Sequence, residues 1–343
     1  MPIYNLEIAN EIGGEIKIEQ VYFISHTKIS RIRKRLNIPH KVSYYDSLFR
    51  TKESSEKLFS KAKVYAVIKT LRQEEEGFSR EYAQIREAVY LLASSQFYRE
   101  KRNRKTLFGA PQFAQNLIDE VLLFSTSNGE VKWNRKRLTP VEPYRLNKLW
   151  QKFISNHFFS LLLRILNGNV KIKPKWKSDL RRAALLAGQS HFSPNLWESF
   201  LYNMIALEIL LLGGSGKTED IFVDRLVDLF GWLTNDDREK WKKLISRLYK
   251  LRCNFVHDGN IKDITIRDVL NSDMLLANLL YNLCALTNII KEKDDLIQIS
   301  EKLAARRTLR QKLVERPKKI RFITSSLTER DLKELENASH WSW

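Results

Sequence analysis

The stretch SPNLWESFLYNMIALEILLLGGSGKTEDIFVDRLVDLFGWLTNDDREKWKKLISRLYKLRCNFVHDG, residues 193–259, decides the fold. Apolar residues recur in it at helical spacing, and Ser193 reads as an N-cap with Pro194 in the first turn. With the apolar text that follows, four helices are expected at about 195–212, 219–232, 236–257 and 264–291. GGSG, TNDD and DGN separate them. Connections this short join antiparallel neighbours, so the expectation is an up-and-down helical bundle.

Outward from this stretch the pattern changes. The expected fold is mainly α, the C-terminal bundle being preceded by a mixed α+β N-terminal region. Residues 1–192 form that basic region, 193–292 the bundle, and 293–343 a basic C-terminal extension. Glu15–Ser25 (EIKIEQVYFIS) alternates and is rich in β-branched and aromatic residues, which predicts a strand. Residues 52–104 read as helices broken near Gly77, with Ile85, Ala88, Val89 and Leu92 on one face. Residues 110–140 are mixed, with a turn signal at Ser127-Asn128-Gly129. Leu146–Leu166 reads as one helix, followed by Asn167-Gly168-Asn169 and the proline-containing KIKPKWK.

Composition excludes several classes. Of 343 residues 43% are apolar, with 12 Gly and 8 Pro, which rules out collagen-like and low-complexity chains. Two cysteines, Cys253 and Cys284, cannot build a disulfide framework and suit a reducing cytoplasm. The start lacks the basic and apolar segments of a secretory signal. Met274–Ile290 is free of charge but contains three asparagines, so it reads as a buried helix and no membrane span is expected.

A net charge of +19 points to a polyanionic partner. Residues 101–200 hold 18 Lys/Arg against 6 Asp/Glu, whereas 201–300 hold 13 against 15. The basic runs are 101–105, 132–137, 171–177 and 306–321. Phe97, Tyr98, Phe108, Trp133, Trp150 and Trp176 interleave with them, a composition suited to single-stranded nucleic acid.

Two charges fall on apolar stripes. Glu208 shares a face with Trp197, Leu201, Met204 and Leu211; Arg252 follows Leu248 by one turn. A charge on a core face is costly unless paired, and within one bundle these two can meet; the alternative is that either side chain snorkels to solvent. His257 lies five residues after Arg252, close to the stop signals Gly259 and Asn260. Five residues subtend about 500°, so the two side chains point roughly 140° apart unless the helix end unwinds. A two-fold related copy could bring one of each together. GGSGKT, residues 213–218, imitates a phosphate loop. Leu211 replaces its first glycine and a helix precedes it, so a helix–helix turn with Thr218 as N-cap is expected.

At these residues the chain resembles a family. Arg252-x4-His257 at the end of a bundle helix is similar to the R-x4–6-H signature of HEPN ribonuclease domains. LYKLRCNFVHDG, with Ala206 and Glu208 in the preceding acidic helix, resembles the Apea-like HEPN group over residues 193–292. Two departures are Cys253 where relatives carry a polar residue, and Asp258 between His257 and Gly259. The resemblance implies a homodimeric, metal-independent endoribonuclease without cofactors, of the kind found in bacterial antiviral defence, abortive infection and toxin systems. It implies RNA, single-stranded or tRNA, as partner, with an inhibitory or activating partner left open. It assigns His257 as acid/base and Arg252 as phosphate clamp, Asn254 as a phosphate or ring-orienting ligand, Glu208 as the orienter of Arg252, and Tyr249 as an outer candidate. Cleavage by the ribose 2′-OH would leave 2′,3′-cyclic phosphate and 5′-OH ends.

Two other readings stand beside it: a catalytically inactive HEPN-like bundle that binds RNA or dimerises, and a nucleotide-sensing regulator using GGSGKT or the N-terminal region. The remaining histidines have neither paired cysteines nor HExxH spacing, so no metal site is expected. On the ribonuclease reading, residues 1–192 are by elimination the sensor or brake.

Overall fold

The computed structural model describes residues 1–3, 6–34, 41, 62–68, 75–97, 120–127, 130–137, 143–193, 195–212, 218–234, 238–309, 317 and 320–322. Among these the chain is mainly helical, 69% in ten helices, with a small sheet region near the N-terminus. It divides into two compact units, residues 1–89 with 105–153 and residues 90–104 with 154–343.

In the first unit β1 (Pro2–Ile3), β2 (Leu6–Ile8), β3 (Glu15–Ile18), β4 (Val21–Ser25), the short helix α1 (His26–Ile32) and β5 (Val64–Ile68) come first. A four-stranded antiparallel sheet has the order β1-β5-β4-β3. Glu15–Ser25 is therefore a hairpin and not one strand: Glu19 takes φ +53°, and Ile18 pairs with Val21 across a two-residue turn. No Asn-Gly or Asp-Gly announces that turn. Nor are residues 52–104 wholly helical. VYAVI is β5, whose Val64 and Ala66 are buried at the sheet's centre, and such a continuous apolar run lacks the alternation that marks a half-exposed strand. Helix α2 (Glu75–Ala93) passes Gly77 unbroken and buries Ile85, Ala88, Val89 and Leu92. The mixed stretch contains β6 (Glu120–Ser127) and β7 (Glu130–Arg137), paired as a hairpin. β8 (Tyr144–Leu146) pairs in parallel with β2.

The expected helix 146–166 is two: α3 (Lys148–Ile154) and α4 (Phe158–Leu166). His157 makes the break. Its Nδ1 accepts the Phe159 N–H at 3.2 Å as an N-cap, while Nε2 lies 2.8 Å from the Phe97 carbonyl.

The second unit adds α5 (Pro174–Phe192), which sequence reasoning missed. Pro174 occupies its first turn, and Trp176, Leu180, Ala183, Ala184 and Ala187 are buried. Gly188 lies under the Tyr90 carbonyl oxygen, where an added Cβ would come within 1.9 Å. Ser193 ends α5 and does not cap the next helix from the N-cap position, which Asn195 holds. Instead the Ser193 hydroxyl braces the loop, accepting the Asn195 N–H at 3.2 Å and donating to Glu198.

The four expected helices follow as α6 (Leu196–Leu211), α7 (Thr218–Thr234), α8 (Arg238–Asp258) and α9 (Ile266–Ala285). Thr265 and Asp268 close a capping box at the start of α9, and α10 (Lys293–Thr308) completes the helices. The α5–α6 hairpin is pinned by reciprocal bonds between the hydroxyls and carbonyls of Ser190 and Ser199, at 3.0 and 2.7 Å. Further along the chain, Ile320–Phe322 returns to this unit. Asn282 donates to the Arg321 carbonyl at 2.8 Å and accepts its N–H at 3.1 Å, and Phe322 stands edge-on to Phe230 and Trp241.

Candidate active site

Helix α8 supplies four of the five candidate residues and α6 the fifth. Near the C-terminal end of α6 the Glu208 carboxylate meets Arg252: Nη2 donates to Oε2 at 2.9 Å. Nε approaches Oε1 equally closely at 2.9 Å but off line, so that edge is an ionic contact and not a hydrogen bond. The side chains are 15% and 21% exposed, so the pair is neither solvated nor sealed. Burial pushes the Glu208 carboxyl above its ordinary range, against the weaker downward pull of the Arg252 charge and hydrogen bond. Tyr249, one turn earlier, is buried with its ring 5.0 Å from that of Phe222, and Arg252 Cζ lies 5.8 Å from its centroid. Tyr249 is thus a shelf beneath the guanidinium. The pair uses one edge of the fork, which leaves the Nη1 donors free of Glu208.

His257 stands apart. Helix α8 stays wound to Asp258, where Gly259 at φ +65° closes it by donating to the Phe255 carbonyl at 2.9 Å. On an intact helix His257 is turned roughly 140° from Arg252, so within one chain the two do not converge. The tip is open: Val256 is 49% exposed, and His257 and Asp258 are exposed. Asn254, three residues before His257, shares its face of the helix, half-buried. The structure therefore joins Glu208, Arg252 and Tyr249, and holds His257 and Asn254 as a second group on the same helix.

Other features flagged by the sequence take different roles. Residues 213–217 of GGSGKT lie outside the described residues. A helix precedes them and a helix follows, so the strand that a phosphate loop requires is missing from the flanks. Phe97, Trp150 and Trp176 are core residues, 0%, 5% and 1% exposed, and offer no face for a base to stack on. Tyr98, Phe108 and the run 101–105 lie outside the described residues. Cys284 is fully buried, its thiol pushed up to about 12; burial raises that of the half-buried Cys253 as well. Among the described residues no group of three His, Cys, Asp or Glu side chains is placed to hold a metal ion, and no helix is long and apolar enough to cross a membrane. The first unit carries a cleft of about 590 Å³ lined by Ser25, His26, Thr27, Glu7, Lys63 and Arg145, among others. Of its two carboxylates, Glu7 pairs with both Lys63 and Arg145, and Glu11 accepts the Lys148 N–H at 2.9 Å.

Comparisons of the chain with protein-family models, with curated proteins and with solved structures find no match.

Proposed function

We propose that the chain is a metal-independent endoribonuclease of the HEPN type, acting as a defence or toxin effector. The observation that carries this reading is the half-buried Glu208–Arg252 pair over Tyr249, on the same helix as an exposed His257 at its tip. Arg252, oriented on one edge by Glu208, clamps a phosphodiester through its remaining N–H donors and stabilises the dianionic charge at the pentacoordinate phosphorus. The His257 imidazole of the other copy takes the proton from the 2′-OH as that oxygen attacks phosphorus. The imidazolium so formed gives that proton to the departing 5′-oxygen. The products are a 2′,3′-cyclic phosphate and a 5′-OH.

The 140° separation requires a dimer, in which His257 of each copy serves Arg252 of its partner. Exposed Val256 beside His257, and Ile221 at 38% exposure on the α7 turn next to Phe222, supply apolar surface for such a contact. The same separation favours a second reading, a bundle that binds RNA or self-associates without turnover.

Incubating the protein with tRNA and mRNA in EDTA separates the two. Cleavage to cyclic-phosphate ends, reduced about 100-fold or more in both His257→Ala and Arg252→Ala, supports the enzyme. RNA left intact by a folded dimer, or cut equally by His257→Ala, refutes it.

A further inference from the structure

We infer that the outer surface of the α4–α5 corner is a phosphate-backbone contact surface for RNA, read without base stacking. From Phe158 to Phe192 the sequence holds seven Lys/Arg and a single acid, Asp179. Asp179 is 8% exposed and its Oδ2 is 3.0 Å from Lys293 Nζ, so it is withdrawn from this surface. Arg164, Lys171, Lys173, Lys175 and Arg182 are exposed, while Lys177 is turned inward to the Leu166 carbonyl at 2.8 Å. Lys175 and Arg182 lie seven positions apart on α5 and so share one outer stripe. Five cations on these two helices and their connection, with no exposed carboxylate among them, suit a polyanion. The Lys173 N–H bonds to the Lys291 carbonyl at 3.0 Å, and there Asp294 and Asp295 in the first turn of α10 mark the edge of the surface.

The chemistry is narrower than a stacking platform. Trp176, Phe158 and Phe159 are at most 1% exposed, and Phe192 is half-buried with its ring edge-on to Tyr90, so no exposed ring lies among the cations. Lysines and arginines on phosphates carry affinity but no sequence information and do not distinguish ribose from deoxyribose. Contact here is therefore indifferent to sequence and steeply dependent on salt.

The surface belongs to the same structural neighbourhood as the candidate site. Lys293, while holding Asp179 on α5, donates to the carbonyls of Ile209 and Leu212 at 2.6 and 3.1 Å. This fixes the first turns of α5 against the end of α6 where Glu208 sits. That the bound strand is RNA and is then cut rests on the ribonuclease reading; that a nucleic-acid backbone is bound does not.

The test uses the full chain as His257→Ala, a labelled polyuridine 20-mer, and single-stranded DNA of matching sequence. Exchanging Lys171, Lys173, Lys175 and Arg182 together for Gln removes four phosphate contacts. The slope of log affinity against log salt should fall by about 3, and affinity at 0.15 M salt by about 100-fold. DNA should bind within about threefold of RNA. A control chain with Lys17, Arg31, Lys34 and Lys41 changed to Gln carries the same loss of charge and should bind as before. Unchanged affinity and slope in the α4–α5 variant, an equal loss in the control, or capture of a polyglutamate peptide but not RNA would overturn the inference. Should the wild-type chain, assayed alongside, leave RNA intact while the α4–α5 variant still loses binding, the ribonuclease reading fails and this surface stands.

Discussion

Removing either partner of the Glu208–Arg252 pair tests the geometry on which the functional reading rests. At 2.9 Å the bare attraction at an effective dielectric of 20 is about 6 kcal/mol, but the raised Glu208 pKa says that burial takes back more than Arg252 returns. The net worth of the pair is thus modest, while stranding one charge is costly. With side chains 15% and 21% exposed, Glu208→Ala should lie between an exposed pair and a buried one, at about 1–2 kcal/mol. For a unit of about 200 residues that is roughly 2–8 °C in Tm. Arg252→Ala should cost about as much. The double substitution should cost less than the sum, with a coupling of about 1 kcal/mol, because the second removal strands nothing. Urea unfolding of the four proteins measures the cycle. pH gives an independent sign. A carboxyl whose folded pKa exceeds its unfolded value makes the native chain bind more protons, so stability falls as pH rises through that window. Glu208→Gln does not titrate, so the wild type should gain on it as pH is lowered from 7 towards 4.5, the carboxyl's ordinary value. Additive costs within about 0.3 kcal/mol, or a wild type that loses ground to Glu208→Gln on acidification, would refute the pairing and its stated cause.

Three further outcomes follow from the packing. Gly188→Ala drives a Cβ to 1.9 Å from the Tyr90 carbonyl oxygen and should cost about 3 kcal/mol or prevent folding, whereas Gly231→Ala, in open space on α7, should add up to about 1 kcal/mol; circular dichroism melts that rank the two alike would contradict the close approach. A thiol reagent should modify native protein at Cys253 alone, slowly, and reach Cys284 only in denaturant; two rapid equivalents from native protein would contradict the burial. Asn282→Ala removes both bonds to Arg321 and should cost about 1–3 kcal/mol, with faster proteolysis next to Arg321, and unchanged stability and cleavage would show that Ile320–Phe322 is not held there.

The helices of residues 196–285 were legible because each couples a 3.6-residue apolar period to a local stop, such as Gly259 after His257. The N-terminal unit was less so. β5 is buried on both sides and shows no alternation, and the Glu19 turn rests on a non-glycine residue at positive φ. Helix α5 carried a signal that went unread: Leu180, Ala184, Ala187 and His191 recur at helical spacing after Pro174. The break at His157 had none, because imidazole is an uncommon N-cap and its second nitrogen is satisfied by Phe97, sixty residues away.

By itself the sequence determined the bundle helices, the lodging of Glu208 and Arg252 each on an apolar stripe, and the position of His257 at a helix end, because period and caps act within a few residues. Only the tertiary structure decided that the two charges meet, that Tyr249 lies under them, that α8 stays wound and keeps His257 away, and that the tryptophan among the lysines of 171–177 is core. Which side chains share one neighbourhood depends on how distant segments pack, and desolvation and ion pairing take their values only there.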